Sequence, residues 1–365
     1  MAASTATATV PGLTVQELDE LYKFAVQLGK DAGDKLMEDA KARWGGGSGS
    51  NNHSQQEMRE KENAVDIVTK TDEEVEAFIK GRIFDRYPDH EFIGEETYSA
   101  GSSRQYLVSS STTTLPTWIV DPLDGTVNYT HNFPMFCVSI GIVVCSVPII
   151  GVIYAPFTDQ LFTSCKGKGA WLNETQSLPL VKGAPLPESA PKGCIFSCEW
   201  GKDRRDIKDG NMHRKVESFV NMAAEVGGRE GKGGMVHGVR SLGSATLDLA
   251  YTAMGAFDIW WEGGCWEWIH PPMTPTAYTL WKQASKDVAA GIAILLEAGG
   301  LVTTANPPEN WETAEVQDVG LGSRLYLAIR PAGDTDKVTK RQAQERVVRE
   351  VWKRVRELDY ARPGA

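Results

Sequence analysis

Trp118-Ile119-Val120-Asp121-Pro122-Leu123-Asp124-Gly125-Thr126 decides how this chain is read. A short apolar run ends in two aspartates three apart, followed by a glycine and a threonine. The apolar run suits a buried strand. Two hard carboxylates converging at a strand end suit Mg²⁺, which prefers oxygen ligands. Gly125-Thr126 is placed to start a helix whose free N–H groups face an anion. Asp and Gly also favour ordinary turns. The reading as metal plus phosphate therefore needs support from the rest of the chain.

The chain has 365 residues, enough for one large domain or two ordinary ones, and 41% hydrophobic content with 11 Trp supports a sizeable core. Its net charge of −10 argues against a general nucleic-acid or membrane binder. A phosphate ligand is still compatible, because a bound metal reverses the local field. Six cysteines are scattered without a Cys-x-x-Cys pair or a His cluster to complete a zinc set. They read as buried free thiols in a reducing compartment. The start, MAASTATATVPG, lacks the basic and apolar regions of a secretory signal, and no apolar run is long enough to span a bilayer. A soluble cytoplasmic protein is the expectation.

Residues 1–12 read as a disordered start, and residues 13–360 as one catalytic domain. Within it, about 13–180 form an α+β part that holds the metal residues, and 181–360 an α/β part. Thr14 with Glu17 makes a capping box before apolar positions Leu18 to Leu36 at helical spacing. Gly45 to Gln55 reads as a flexible loop. Thr71 with Glu74 is a second capping box, opening a helix through Ile83. Phe92–Gly94 reads as a short strand and 99–116 as loop. Trp118–Val120, Phe136–Cys145, Ile149–Tyr154 and Gln160–Thr163 form a β-rich meander whose end is punctuated by Gly167, Gly169, Asn173 and Glu174. Lys182–Lys192 is a linker, Cys194–Cys198 a strand and Arg214–Val226 a helix. Residues 227–238 are glycine-rich. Leu242–Ala256 is a helix after Gly243-Ser244, and Phe257–Glu262 a strand. Val288–Ala298 is a helix closed by Gly299-Gly300, and Leu325–Ile329 a late strand. The last helix puts Val347, Val348, Val351, Trp352, Val355 and Leu358 on one face, and Arg346, Arg349, Lys353, Arg354 and Arg356 on a solvated one.

Four carboxylates stand at element ends besides Asp124. Asp72 lies in the first turn of its helix, Glu95 follows Gly94, Asp121 ends its strand, and Asp287 opens the apolar helix Val288-Ala289-Ala290-Gly291-Ile292. Each has an ordinary alternative role, as a helix-dipole or loop carboxylate. Together they supply what a phosphatase with two or three Mg²⁺ ions requires.

Gly94-Glu95-Glu96, Trp118–Thr126 with Asn128-Tyr129, Gly243-Ser244-Ala245, and Asp287-Val288-Ala289-Ala290-Gly291 with Glu297-Ala298-Gly299-Gly300 resemble the inositol monophosphatase family in order and rough spacing. Asp66-Ile67-Val68-Thr69 followed by Asp72 fits as well. The resemblance covers about residues 14–305 and is similar to fungal members. It implies a layered αβαβα sandwich of the α/β class. It also implies Mg²⁺-dependent hydrolysis of a phosphate monoester, with myo-inositol monophosphate as substrate, lithium sensitivity and a homodimer. Glu95, Asp121 and the Leu123 carbonyl would hold a first metal, and Asp121, Asp124 and Asp287 a second. A third would lie near Glu95, with Asp72 reached through water. Thr126 with Glu95 or Asp72 would orient the attacking water. Gly125 and Thr126 would bind phosphate. Gly243, Ser244, Ala245 and Glu262 would line the alcohol side, with Glu262 reading hydroxyls, and Lys61 matches a lysine near the site. Related sugar-phosphate and bisphosphate-nucleotide phosphatases share the Asp-Pro-Leu-Asp-Gly-Thr core. A regulatory member that kept the fold without catalysis is the non-enzymatic alternative.

One departure stands out. The family's glutamate leads within about seven residues to Trp-Asp. Here Glu262 reaches Trp268, but Ile269 follows and the Asp comes only at 287. Removing residues 269–286 on paper joins Trp268 to Asp287. The segment, with Pro271, Pro272 and Pro275, reads as a retained intron in a gene prediction or as an outward loop. Loop length itself is cheap, at about 0.6 kcal/mol per doubling. Asp287 is what such a segment would displace. Val127 stands where many relatives have a second threonine.

Overall fold

The structure, a computed structural model, describes residues 10–44, 58–60, 67–99, 114–264, 288–318, 321 and 323–360. In chain order the elements begin with α1 (Val15–Trp44), β1 (Met58–Glu60), β2 (Ile67–Thr69), α2 (Lys70–Arg86), β3 (Glu91–Gly94), α3 (Glu95–Ser99), β4 (Thr117–Asp124) and α4 (Thr126–Thr130). A meander follows: β5 (Cys137–Val144), β6 (Val147–Ala155), β7 (Gln160–Cys165), β8 (Gly169–Leu172) and β9 (Gln176–Ser177). The second half holds β10 (Ile195–Ser197), α5 (Asn211–Ala223), α6 (Gly228–Gly231), β11 (Gly238–Arg240), α7 (Ala245–Met254) and β12 (Ile259–Gly263). It closes with α8 (Ala289–Ala298), β13 (Leu301–Thr303), β14 (Leu325–Ile329) and α9 (Lys340–Trp352).

Two sheets carry the architecture. One runs β3-β4-β5-β6-β7-β8-β9, and the other β11-β10-β12-β14-β13. Helices α1 and α2 pack on one face of the seven-stranded sheet and α8 on the other. Helices α7 and α8 lie together between the sheets, where Leu247, Leu249, Ile292, Ile294 and Leu295 meet Ile153 and Phe162 from one sheet and Trp260 and Tyr326 from the other. Helix α9 covers the outer face of the five-stranded sheet through Val347, Val348, Val351 and Trp352. The result is the αβαβα sandwich that the sequence implied. Its central helix layer is largely apolar, as a layer buried on both sides requires, with Thr246, Asp248 and Thr252 of α7 as buried polar exceptions. Helix α8 lies against β6 because Gly151 has no side chain: a Cβ there would meet the Ala290 carbonyl at 2.4 Å.

Several boundaries differ from the sequence reading. Helix α2 starts two residues early, because Thr69 and Asp72 form the capping box instead of Thr71 and Glu74. The meander gains β8 between the punctuating Gly169 and Asn173, and a short β9 just past Glu174. Strand β13 was hidden inside the turn after Gly299-Gly300. The start is ordered by residue 10, since Val10 is buried against α1. Arg354, assigned to a solvated face, is buried and pairs with Glu350. Arg346 and Arg349 donate to the carbonyls of Pro187, Glu188, Glu312 and Ala314, tying loops to α9. The loop readings at 45–55 and 100–113 and the first nine residues lie outside the described residues, as does the 269–286 segment.

Candidate active site

Strand β4 pairs with β3 in parallel and with β5 in antiparallel fashion. Asp121 faces Ser139 and Asp124 faces Cys137, with a bulge between them. Three steps on β4 therefore match two on β5. In a regular strand, residues three apart point to opposite faces. The extra residue cancels that alternation, so Asp121 and Asp124 share one face with Cys137 and Ser139. Proline at 122 is tolerated there because a bulge needs no ladder donor. The Leu123 amide donates to Asp121 Oδ1 at 3.1 Å and fixes the carboxylate at the turn.

Gly125 follows with φ 84° and ψ 37° and caps α4. This left-handed conformation favours glycine, and a Cβ would also meet the Met135 carbonyl at 2.6 Å. Thr126 then opens α4, where its hydroxyl lies 3.0 Å from the Leu123 carbonyl and 3.2 Å from Asp72 Oδ1. Asp72 is buried and accepts from the Thr69 amide at 2.9 Å and from the Thr69 hydroxyl. Glu95 enters from the neighbouring strand. Gly94 pairs with Val120, so Glu95 leaves β3 at the level where Asp121 ends the regular part of β4. Glu76, which the sequence reading passed over, holds this corner: its carboxylate accepts from the Glu96 amide at 2.5 Å, the Thr97 amide at 2.6 Å and the Thr97 hydroxyl. Its signal was its place one helical turn after Asp72.

The second half of the molecule contributes from the N-terminus of α7. Ser244 caps that helix, accepting from the Leu247 amide at 3.2 Å, and donates its hydroxyl to Asp124. The Thr246 amide lies 3.2 Å from Asp124 Oδ2. Asn128 bridges the halves, donating to the carbonyls of Met135 at 2.6 Å and Leu242 at 2.7 Å. Gly243 and Ala245 flank Ser244 and place the α7 loop against α4. Cys137, beside the aspartates, is fully buried. Burial and then the charges of Asp124 and Asp121 push its thiol well above the usual range, so it is no nucleophile.

The structure thus gathers Asp72, Thr126, Leu123, Asp121, Asp124, Gly125 and Ser244 around one bulge. Lys61 and Asp287 lie outside the described residues. Among the described residues no three His, Cys, Asp or Glu side chains come close enough together to hold one metal ion. One Asp124 oxygen is turned to Ser244 and Thr246, and Asp72 is spent on Thr69 and Thr126. The donor chemistry still fits a hard cation: Glu95, Asp121, Asp124 and the Leu123 carbonyl are all oxygen donors.

Glu262 is a different case. It sits on β12, 2% exposed, and both carboxylate oxygens are engaged: Oε1 by Lys215 and the Gly263 amide, Oε2 by the Glu199 amide. Glu199 and Lys215 were not singled out from sequence, and neither was Asp248, whose carboxyl accepts from the Ser197 hydroxyl at 2.6 Å. Burial and the neighbouring Glu199 charge push Asp248 well above the usual carboxylate range. No motif marks these residues.

The model for the inositol monophosphatase family matches residues 17–356, and the chain belongs to that family. It is 67% identical over 356 residues to quinic acid degradation cluster protein x of Neurospora crassa, covering 96% of this chain and 98% of that protein. It is 36% identical over 302 residues to inositol monophosphatase 2 of Saccharomyces cerevisiae, covering 82% of this chain and 87% of that one. Among solved structures, the inositol monophosphatase from Anabaena superposes with a TM-score of 0.59 at 25% identity, covering 92% of this chain and 96% of that one. Among the described residues no helix is long and apolar enough to cross a membrane.

Proposed function

We propose that this chain is a Mg²⁺-dependent phosphomonoesterase whose substrate is myo-inositol monophosphate. The observation that carries the reading is the bulge in β4, which turns Asp121 and Asp124 to one face, with Glu95 leaving β3 at the level of Asp121 and the Thr126 hydroxyl 3.2 Å from Asp72. Glu95, Asp121, Asp124, the Leu123 carbonyl and Asp287 would hold the metal. When bound, the cation neutralises the phosphate dianion and lowers the pKa of a bound water. The chain's own part is orientation. The Thr126 hydroxyl donates a hydrogen bond to Asp72, which leaves a Thr126 lone pair to accept from an incoming water and aim it at phosphorus. The free amides at Gly125 and Thr126 are placed for phosphate oxygens. Ser244 and Thr246 hold Asp124 in register. Cytoplasmic location, lithium sensitivity and a homodimer belong to the same proposal.

A second reading has specific support. The 67% identical relative is named for quinic acid degradation, and Glu262 is engaged by protein groups. Both favour a phosphatase for another alcohol, or a regulatory member without turnover. Phosphate release from myo-inositol 1-phosphate, a bisphosphate nucleotide and sugar phosphates, with and without Mg²⁺, separates these readings. The chain as given, a version lacking 269–286 and Asp121→Asn are compared. Silence of both the full and the shortened chain with every ester ends the catalytic reading.

A further inference from the structure

Helix α5 is inverted relative to an ordinary surface helix. Its inward face is Asn211, Lys215, Ser218, Asn221 and Met222, while Val216 and Val220 point to solvent. The reason is Lys215. Its ammonium has no exposed surface and reaches Glu262 Oε1 at 2.7 Å, the Glu199 carbonyl at 2.7 Å and the Gly263 carbonyl at 3.1 Å. Three protons meet three acceptors. The Tyr360 ring closes the remaining side, 5.5 Å from the nitrogen.

Glu262 is matched from its own side. Its oxygens take one proton from Lys215 and one each from the Gly263 and Glu199 amides, both at 2.8 Å. Burial opposes charge on both partners. For Lys215 burial is the largest single influence, but Glu262, Cys198 and Tyr360 together outweigh it and raise the amine; for Glu262 burial outweighs the lysine and raises the carboxyl. Three donors around one carboxyl and three acceptors around one amine fit the ion pair, which is the state we adopt. Glu199 passes the arrangement on: its side chain accepts from the Ser241 hydroxyl at 2.9 Å and the Leu242 amide at 2.5 Å. Two residues later Ser244 holds Asp124.

We propose that Lys215 is a positioning residue that withdraws Glu262 from the substrate and clamps α5, β10 and β12 together, with Glu199 suspending the 241–244 loop from the clamp. The alcohol side of the pocket then discriminates little between leaving groups by their hydroxyls. This rests on the phosphatase reading for its substrate arm and on geometry alone for its clamp arm.

The full chain is compared with Lys215→Met and with Lys215→Met/Glu262→Leu, and Lys215→Gln/Glu262→Gln serves if the apolar pair does not fold. Urea midpoints are measured, together with KM and kcat for myo-inositol 1-phosphate and for β-glycerophosphate in Mg²⁺. Calorimetric affinity replaces KM where turnover is absent. The midpoint falls in Lys215→Met and returns most of the way in the double variant. The double variant keeps the ratio of kcat/KM for the two esters within about threefold of the parent, well under what removing a buried hydroxyl reader would cost. A tenfold or larger loss confined to KM of the inositol ester shows that Glu262 reads substrate and overturns the proposal. An unchanged midpoint in Lys215→Met overturns the clamp. If the unmodified chain neither cleaves nor binds either ester, the phosphatase reading fails, and the midpoints still decide the clamp.

Discussion

The two ends of the candidate site use carboxylates in opposite ways. At the β4 bulge, amides and hydroxyls reach the carboxylates: Thr69 and Thr126 at Asp72, the Leu123 amide at Asp121, and Ser244 with the Thr246 amide at Asp124. Around Glu262, 2% exposed, a fully buried lysine balances the charge and three donors fill the carboxylate. The first arrangement offers oxygen donors of the kind that suit a hard cation. The second has its cation built in. A carboxylate in a cleft is therefore not a ligand by position alone; its partners decide.

The largest expected effect breaks the second arrangement. Lys215→Met leaves Glu262 buried and unpaired, which costs about 3–5 kcal/mol. It is read as a lower urea midpoint at unchanged slope. The pH dependence sharpens the test. Burial raises the Glu262 carboxyl, and the variant loses the lysine that opposes the rise. An unfolded glutamate titrates near pH 4.3. With the folded value above that, the folded state binds the extra proton, and stability falls as pH rises through the interval between the two values. The deficit of Lys215→Met against the parent therefore narrows as pH is lowered from neutral toward the unfolded value. A deficit that is constant over this range points to lost packing of the lysine stem rather than to an orphaned charge.

The next effect breaks the first arrangement. Asp121→Asn keeps the side chain's shape and the Leu123 contact but removes a charge shared by both proposed metals. Loss of a group that only orients a metal's ligand costs a metal site about 10–100-fold, so phosphate release falls by at least about 100-fold while the urea midpoint stays near the parent's. Retained activity in this variant would mean that Asp121 is not a metal ligand.

Much of the first arrangement was legible in the sequence. Strand ends, the Gly125 turn and the Ser244 cap carry local signals, and the family motifs sit on them. The common face of Asp121 and Asp124 was not legible from spacing, because three residues in a strand mean opposite faces until a bulge intervenes. It takes the partner strand's count to reveal it. The second arrangement left almost no trace. Lys215 sits in a helix with Val216, Phe219 and Val220, whose apolar face a 3.6-residue reading turns inward. The structure turns Val216 and Val220 outward, because the buried acceptors at Glu262, Glu199 and Gly263 need the lysine more than the core needs two valines. An unsatisfied buried carboxylate costs more than an exposed valine forgoes. That balance depends on Glu262 and Gly263 of β12, 47 and 48 residues away in sequence from Lys215.

Ser244→Ala probes the seam between the ends. It removes an N-cap, worth about 0.5–2 kcal/mol, together with the hydroxyl that holds Asp124. Both stability and phosphate release fall. If stability falls and activity does not, the Thr246 amide suffices to hold Asp124.

The smallest effect compares two caps of the same design. Thr69 with Asp72 and Thr339 with Gln342 are both reciprocal capping boxes, at the starts of α2 and α9. Replacing either threonine with alanine removes a comparable capping bond, about 1 kcal/mol each. Only Thr69 also fixes the carboxylate that lies 3.2 Å from the Thr126 hydroxyl. Thr69→Ala therefore lowers kcat beyond what its loss of stability explains, and Thr339→Ala lowers the urea midpoint with kcat unchanged. Equal kcat values in the two variants would reduce Asp72 to a helix cap and remove it from the water-orienting role. The attacking water would then have to be aimed by Thr126 and Glu95 alone.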